Sequence, residues 1–324
     1  MTKLLYVYEE RIPEDLRALV CSYFPAEEFL IKEMTYRTPP EEQKKMLSWT
    51  EVVLFAPGRY LPDEILETAK NVKLIQLWSS GYDKFNVAAC KKLGIQVANN
   101  GGANAGSVAE HAILLMLAVY KWLPDSHRRT VEGMWVGNKH GLDMHMLTGK
   151  KVGIIGFGNI GRAVAKKLLG FETDTVYYDI KRADTDIERA LNARFAPFEE
   201  LLGSADIVTL HLHSTKETQN IIGARELSIM RPQSILINVA RAQLVDQNAL
   251  TDALKNKKIH GVGLDVYLKE PTEPNDPLLM LPNVVATPHM AGSTLDAYDK
   301  ALKNARENFR RVARGEQPLW VVDC

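Results

Sequence analysis

Residues 152–161 read VGIIGFGNIG, a short apolar run that leads into three glycines. Apolar periodicity continues through residue 169, which predicts a strand, a tight turn and a helix in direct succession. In that setting Gly156 permits the turn, Gly158 lets the backbone approach a pyrophosphate, and Gly161 lets the helix pack on the strand. The N–H groups at the helix N-terminus would receive the phosphates. The segment therefore predicts a dinucleotide-binding unit, with a plain tight turn in an α/β sheet as the alternative.

A carboxylate follows at the end of the next predicted strand. Asp179 lies 18 residues beyond Gly161. A carboxylate at that place accepts hydrogen bonds from the adenosine ribose and repels a 2′-phosphate, which favours NAD over NADP. Lys181 and Arg182 come just after it, and basic side chains there can serve a 2′-phosphate. NAD is the predicted cofactor, with NADP as the alternative.

Strands and helices alternate along the rest of the chain. The predicted strands lie at 4–8, 52–55, 74–77 and 95–98 and, after a glycine-rich segment at 101–106, at 152–155, 175–178, 207–210, 235–238, 261–264 and 284–286. Helical spacing occupies 14–23, 63–70, 85–93 and 295–314, and Ser107 and Glu110 predict a capping box for a long helix that ends at Tyr120. The alternation predicts two α/β units with parallel sheets. We expect the helix at 295–314 to pack back on the first unit.

Composition limits the classes of partner. The 324 residues include 40 Lys and Arg and 40 Asp and Glu, so the chain lacks the basic excess typical of nucleic-acid or membrane-surface binding. The N-terminal segment has acids where a signal peptide is apolar, and the apolar run 112–120 is too short to span a bilayer. The three cysteines have no metal-ligand spacing and fit reduced thiols. We expect a cytoplasmic protein without metal, nucleic-acid or membrane partners, and an irregular arm at 121–148 that serves a homodimer.

Three further segments follow predicted strand ends, where open α/β sheets bind ligands. They read NVARAQLVD at 238–246, DVYLKEP at 265–271 and TPHMAG at 287–292, and they contain Arg241, Glu270 and His289. Reduction of a 2-oxo acid needs a cation for the carboxylate and carbonyl, an acid–base group, and a carboxylate that orients it. Taken singly, these residues also fit a surface ion pair, a turn residue and a core histidine. Their convergence on one sheet edge favours the catalytic interpretation.

With these motifs in this order and spacing, the chain resembles the D-isomer specific 2-hydroxyacid dehydrogenase family along essentially its whole length, in the short form without a regulatory domain. The resemblance implies an α/β fold of two doubly wound parallel-sheet domains. A Rossmann dinucleotide-binding domain at 102–292 would be inserted in a flavodoxin-like substrate domain at 1–101 and 293–324. It also implies an NAD-dependent oxidoreductase that reduces a small 2-oxo acid to the (R)-2-hydroxy acid and the reverse, with Arg241, Glu270 and His289 as catalytic residues in a cleft that closes around NAD and substrate.

The same resemblance implies the binding residues. Ser80 and Gly81 would hold the substrate carboxylate through backbone N–H groups, together with Arg241 and His289. The residues expected at the cofactor are Gly156, Gly158, Asn159, Ile160, Gly161, Asp179, Leu212, Val239, Ala240, Arg241, Asp265, His289 and Gly292. Two positions depart from the family pattern. Ala242 replaces the usual glycine, which matters only where the backbone needs positive φ, and His213 replaces a common proline.

Several alternatives concern the substrate and the class of protein. Leu77 and Trp78 bring no positive charge to the Ser80 loop, which disfavours a phosphorylated substrate, although Arg59 on an earlier loop is basic. Formate dehydrogenases of this kind carry glutamine where Glu270 stands, so Glu270 disfavours that activity. A nucleotide-sensing corepressor of the same fold is the alternative from a different class, and turnover with NADH and 2-oxo acids separates it from an enzyme. The sequence does not specify the side chain of the substrate.

Overall fold

The computed structural model describes residues 1–56, 61–83, 85–135 and 137–322. The chain divides into two compact units. Unit 1 comprises Met1–Asn104 and Thr294–Cys324, and unit 2 is Ala105–Ser293. Unit 2 is therefore a continuous insertion between the two segments that build unit 1.

Unit 1 has, within the described residues, a five-stranded parallel sheet in the order β2-β1-β3-β4-β5. The strands are β1 (Thr2–Tyr8), β2 (Phe29–Thr35), β3 (Val52–Phe55), β4 (Leu74–Leu77) and β5 (Gln96–Ala98). The helices are α1 (Glu14–Ser22), α2 (Pro40–Trp49), α3 (Asp63–Leu66), α4 (Val87–Lys92) and α12 (Leu295–Ala313). Leu302 and Phe309 of α12 join Leu4 and Tyr6 of β1 in one buried cluster. This strand order is flavodoxin-like, which confirms the predicted fold class for the unit.

Unit 2 has, within the described residues, a seven-stranded parallel sheet in the order β12-β11-β10-β9-β6-β7-β8. The strands are β6 (Lys151–Ile155), β7 (Asp174–Tyr178), β8 (Ala193–Phe195), β9 (Ile207–Leu210), β10 (Ile235–Asn238), β11 (Gly261–Leu264) and β12 (Val284–Ala286). The helices are α5 (Ala105–Tyr120), α6 (Leu123–Val131), α7 (Asn159–Leu168), α8 (Thr185–Ala190), α9 (Phe198–Ser204), α10 (Ala224–Ile229) and α11 (Gln247–Lys255), with two 3₁₀ helices, η1 (Leu169–Phe171) and η2 (Ala242–Leu244). The order is that of the Rossmann fold with an added edge strand. Helices α5 and α7 cover one face of the sheet, and α9, α10 and α11 cover the other.

Two local expectations were wrong. The predicted capping box does not form, because α5 already begins at Ala105 and places Ser107 inside its first turn. The Ser107 hydroxyl instead donates to the carbonyl of Ala291 at 2.7 Å. The segment 121–148 is not irregular throughout, since α6 occupies Leu123–Val131. Ion pairs from Asp125 to Arg128 and Arg129, one helical turn apart, stabilise this short helix.

Within the described ranges, no helix combines the length and apolar character needed to cross a bilayer. Cys21 and Cys90 are free thiols. Cys324 lies outside the described residues.

Candidate active site

The glycine turn between β6 and α7 is shaped by close backbone approaches. Gly156 has φ +94°, and a Cβ there would stand 2.6 Å from the carbonyl oxygen of His211. A Cβ at Gly161 would stand 2.1 Å from the carbonyl oxygen of Gly156. Around Gly158, in contrast, no atom of the described residues lies within 4 Å of the position a Cβ would take, apart from those of its chain neighbours. The first and third glycines are thus required by the fold, and the middle one leaves open space beside the N-terminus of α7. This arrangement fits a pyrophosphate held by backbone N–H groups.

The Asp179 carboxylate lies at the end of β7, next to the same turn. One of its oxygens accepts a hydrogen bond from the N–H of Phe157 at 2.6 Å, and the other accepts from the N–H of Lys181 at 3.3 Å. The Phe157 ring stacks on Tyr177 with centroids 3.8 Å apart. The Asp179 carboxylate, which is expected to accept hydrogen bonds from the ribose, is therefore hydrogen-bonded to the glycine turn that is expected to bind the phosphates.

Arg241 lies between β10 and η2, in a turn organised by Asn238. The Asn238 side chain donates to the carbonyl of Arg241 at 2.8 Å and accepts from the N–H of Ala240 at 3.1 Å. The guanidinium donates to the carbonyl of Ala240 at 2.7 Å. Ala242 opens η2 and is not among the residues with positive φ, so the alanine is accommodated without backbone strain.

Glu270 and His289 contact each other directly. His289 Nδ1 lies 3.0 Å from each carboxylate oxygen of Glu270, on loops that follow β11 and β12. One of these oxygens also accepts from the N–H of Tyr267 at 3.1 Å. The His289 side chain is 45% exposed and that of Glu270 27% exposed. Because Nδ1 faces the carboxylate, Nε2 is the ring nitrogen that remains for a substrate.

Asp265 anchors the backbone next to His289. Its carboxylate is fully buried and accepts from the N–H groups of Met290 and Ala291, each at 2.9 Å, and from the Thr287 hydroxyl at 2.6 Å. The Thr287 oxygen also lies 2.8 Å from Nε2 of His111 on α5. These bonds hold the loop in which His289 adopts a left-handed backbone with φ +51°, a conformation that costs a non-glycine residue about 1 kcal/mol.

Sequence reasoning missed His111 and Thr287. The available signals were a lone histidine inside the apolar run of α5 and a threonine two residues before His289. Asp265 was expected at the cofactor, and that role stays a prediction beside the anchoring contacts.

The remaining expected cofactor residues also follow the carboxyl ends of strands in unit 2. Asn159 and Ile160 begin α7, Leu212 follows β9, and Val239 and Ala240 follow β10. Gly292 comes directly after the anchored Ala291. His213, the second departure from the family pattern, lies one residue beyond Leu212, where its carbonyl accepts from the Thr218 hydroxyl at 2.8 Å.

Ser80 and Gly81 belong to unit 1, in the loop after β4. The Ser80 hydroxyl lies 2.6 Å from the side-chain oxygens of both Asn100 and Asn104, and the Ser80 carbonyl accepts from Asn99 at 3.0 Å. The loop is thus fixed, while across the described residues no acceptor pairs with the N–H of Ser80 or Gly81. Leu77 and Trp78 before it are buried. Arg59 lies outside the described residues.

Comparisons with known proteins agree with this geometry. Residues 113–291 match the profile described as D-isomer specific 2-hydroxyacid dehydrogenase, NAD binding domain. A glyoxylate reductase of Korarchaeum cryptofilum is 37% identical over 262 residues, which is 80% of this chain and 79% of the relative. The D-lactate dehydrogenase of Lactobacillus jensenii, solved with NAD⁺, superposes with a TM-score of 0.83 at 25% identity, and the match covers 100% of both chains. An NAD-dependent formate dehydrogenase of Staphylococcus aureus in complex with NAD gives 0.83 at 29% identity, covering 100% of this chain and 99% of that one.

The chain belongs to the D-isomer specific 2-hydroxyacid dehydrogenase family, as its motifs predicted. It is an oxidoreductase of that family, and unit 2 carries the family's NAD binding domain. NAD as the cofactor is thereby confirmed. All three of these relatives are enzymes by name, and none of them supports the corepressor alternative.

Proposed function

We propose that the protein reduces a small 2-oxo acid to the (R)-2-hydroxy acid, and catalyses the reverse, with NAD as redox partner. The observation that carries this proposal is the 3.0 Å contact between His289 Nδ1 and the Glu270 carboxylate, on loops that follow the adjacent strands β12 and β11. Arg241 follows β10, the next strand in the sheet. One row of strand ends therefore presents a cation, an acid–base imidazole and a carboxylate.

Each of the three side chains has a separate task. When bound, NADH supplies the hydride that reduces the C2 carbonyl. Arg241 binds the substrate carboxylate with its planar fork and polarises that carbonyl. His289 delivers the proton to the carbonyl oxygen from Nε2, and Glu270 fixes the tautomer and orientation of the ring through Nδ1. A carboxylate paired with an imidazole in this way suits proton transfer, which formate oxidation does not require.

The proposal treats unit 2 as a dinucleotide-binding domain, which supplies the cofactor contacts together with Arg241 and His289. It treats unit 1 as a substrate domain, which supplies further substrate contacts. In unit 1, the N–H groups of Ser80 and Gly81 are the proposed donors to the substrate carboxylate. The fixed loop and its available donors support this assignment, since preorganised backbone N–H groups bind carboxylates well.

Cofactor choice is assigned to Asp179, whose carboxylate would repel a 2′-phosphate. We expect wild type to prefer NADH over NADPH, and Asp179→Ala to narrow that preference. The ratio of kcat/KM for the two cofactors measures it. Equal or better turnover of wild type with NADPH would contradict the assignment.

The test of the activity is a substrate panel. Purified protein is assayed with NADH and each of glyoxylate, hydroxypyruvate, pyruvate and branched 2-oxo acids, and the chirality of each chiral product is determined. We expect turnover of at least one acid, with R configuration at C2, and the glyoxylate reductase relative places glyoxylate first in the panel. Turnover of none of them, or an S product, would refute the proposal.

We further propose a homodimer that uses the segment 121–148. This segment exposes large apolar side chains on or near α6: Leu123, Val131, Trp135, Leu142 and Met146. Exposed apolar side chains gathered in one segment are typical of association surfaces. Sedimentation velocity should give a dimer for wild type and a monomer for Leu142→Asp combined with Trp135→Ser, whereas a monomeric wild type would refute the assignment. The cytoplasmic location stays a prediction.

A further inference from the structure

The basic residue three positions after Asp179 is already engaged by a carboxylate of the same unit. Arg182 Nε and Nη2 lie 2.9 Å from the two carboxylate oxygens of Glu188 on α8, an arrangement in which both oxygens are used. The Glu188 side chain is only 10% exposed, although that of Arg182 is 64% exposed. The guanidinium therefore reaches inward to a carboxylate that the fold holds in place.

Glu188 is held by a second donor. The Tyr177 hydroxyl donates to the same carboxylate at 2.6 Å and accepts from the N–H of Ala183 at 2.9 Å. Hydrogen bonds from Arg182 and Tyr177 lower the pKa of Glu188 to about 2, so the carboxylate is charged at neutral pH. The Tyr177 ring stacks on Phe157, whose N–H bonds to Asp179. Packed side chains therefore connect the Arg182–Glu188 pair to the glycine turn between β6 and α7, which is expected to bind the cofactor.

We propose that Glu188 is a cofactor-specificity residue, because it holds the Arg182 guanidinium in an internal pair and denies it to a 2′-phosphate. An arginine in this loop is the side chain that accommodates the 2′-phosphate of NADP. A guanidinium binds phosphate through the same two-donor fork that Glu188 occupies here. Two effects therefore disfavour NADP. The Asp179 carboxylate repels the 2′-phosphate, and Glu188 keeps the Arg182 guanidinium from binding it. This inference rests on the proposed preference for NAD.

The test compares cofactor binding with and without the pair. Glu188→Gln keeps an acceptor for Tyr177 but loses the charge that holds Arg182. NADPH and NADH dissociation constants are measured by nicotinamide fluorescence for the purified protein without substrate. We expect Glu188→Gln to bind NADPH about tenfold more tightly than wild type, with NADH affinity unchanged. Its Tm should be lower than that of wild type, because the lowered pKa of Glu188 means that its charge stabilises the folded protein. Adding Arg182→Ala to Glu188→Gln should return NADPH affinity to the wild-type value.

A matched control is Glu199→Gln, which removes the charge from the exposed Glu199–Arg225 pair on the α9 side of the sheet. It should leave the affinity for both cofactors unchanged. Arg182→Ala alone should also leave NADPH affinity unchanged, because Arg182 is already withheld in wild type, and this variant gives an answer even if Glu188→Gln does not fold.

Three outcomes would overturn the inference: unchanged NADPH affinity in folded Glu188→Gln, a gain that persists after Arg182→Ala, or weakened NADPH binding in Arg182→Ala alone. A wild type that itself prefers NADPH would instead refute the proposed NAD preference, so the two failures are distinguishable.

Discussion

The glycine turn gives the sharpest prediction, because its three glycines meet different surroundings. In Gly161→Ala the new Cβ would lie 2.1 Å from the carbonyl oxygen of Gly156, over 1 Å inside normal contact, and the obstructing atom is backbone. Such overpacking typically costs about 1–3 kcal/mol, so the Tm of this variant should fall. In Gly158→Ala the Cβ would meet no atom of the described residues within 4 Å apart from its chain neighbours, and the backbone at φ −77° lies outside the left-handed region. Because Gly158 is the N-cap of α7, where alanine is less favourable than glycine, the Tm should fall slightly, and by less than in Gly161→Ala.

Cofactor binding should separate the two variants further. If the pyrophosphate approaches the backbone at Gly158, the new methyl group displaces it and weakens at least one hydrogen bond to a charged group, worth about 1.5–3 kcal/mol. NADH affinity of Gly158→Ala should then fall about tenfold or more. Fluorescence titration measures the NADH affinity. The control is Gly170→Ala, at a second glycine whose Cβ position has no contact with other segments of the described chain, and this variant should bind NADH normally. Wild-type NADH affinity in folded Gly158→Ala would show that the phosphates do not approach this backbone.

The remaining predictions concern the catalytic side chains and acid stability. Arg241→Lys keeps the charge but loses the planar two-donor guanidinium, so kcat/KM for the 2-oxo acid should fall well below the wild-type value. The NADH affinity measured by fluorescence titration should stay normal. Wild-type activity on every accepted acid would show that Arg241 does not bind the substrate as proposed. His289→Ala should lose roughly two to four orders of magnitude in kcat, the usual contribution of a positioned proton donor, and still bind NADH; a smaller loss, with chemistry shown to limit the rate, would argue against proton transfer by this ring. Burial lowers the pKa of His211 to about 3. Below pH 6.5 the unfolded chain therefore takes up a proton that the folded chain does not. As the pH is lowered from 7 to 5, this difference decreases the free energy of unfolding by about 2 kcal/mol. The Tm of His211→Gln should decrease less between pH 7 and pH 5 than the Tm of wild type. An equal decrease would show that a group other than His211 causes the acid destabilisation.

Sequence patterns located the strands best where every residue is buried. The fully buried strands β3, β4, β9, β10 and β11 have the predicted limits, because short apolar runs bounded by turn residues are typical of buried strands in a parallel sheet. The edge strand β12 also has its predicted limits, although none of its residues is buried. Strand β2 escaped prediction because its sequence FLIKEMT shows neither a continuous apolar run nor a regular alternation of apolar and polar residues. It forms an edge of the sheet, paired along one side with β1, and only Phe29 and Met34 are buried. Helix α2 escaped because its sequence PEEQKKMLSW buries only Gln43 and Leu47.

The catalytic candidates were accessible from sequence for a related reason. Arg241, Glu270 and His289 each follow a strand of a parallel sheet, so their shared edge is fixed by the strand pattern alone. The contact of Thr287 with His111 depends on the packing of α5 against the sheet, and His111 lies 176 residues before Thr287. A contact between residues so far apart in the sequence cannot be predicted from the spacing of motifs.

The insertion of unit 2 also sets an order in which the chain can fold as it is synthesised. The sheet face of unit 1 that includes Leu4 and Tyr6 is covered by Leu302 and Phe309 of α12, which are translated after the whole of unit 2. At about 5–20 residues per second, the interval between Asn104 and the end of α12 lasts roughly 10–40 s. During it β1 to β5 exist with one apolar face incomplete, while the NAD binding domain already has every strand it needs. The cofactor-binding half of the enzyme can therefore be native on the ribosome before the half that begins the chain.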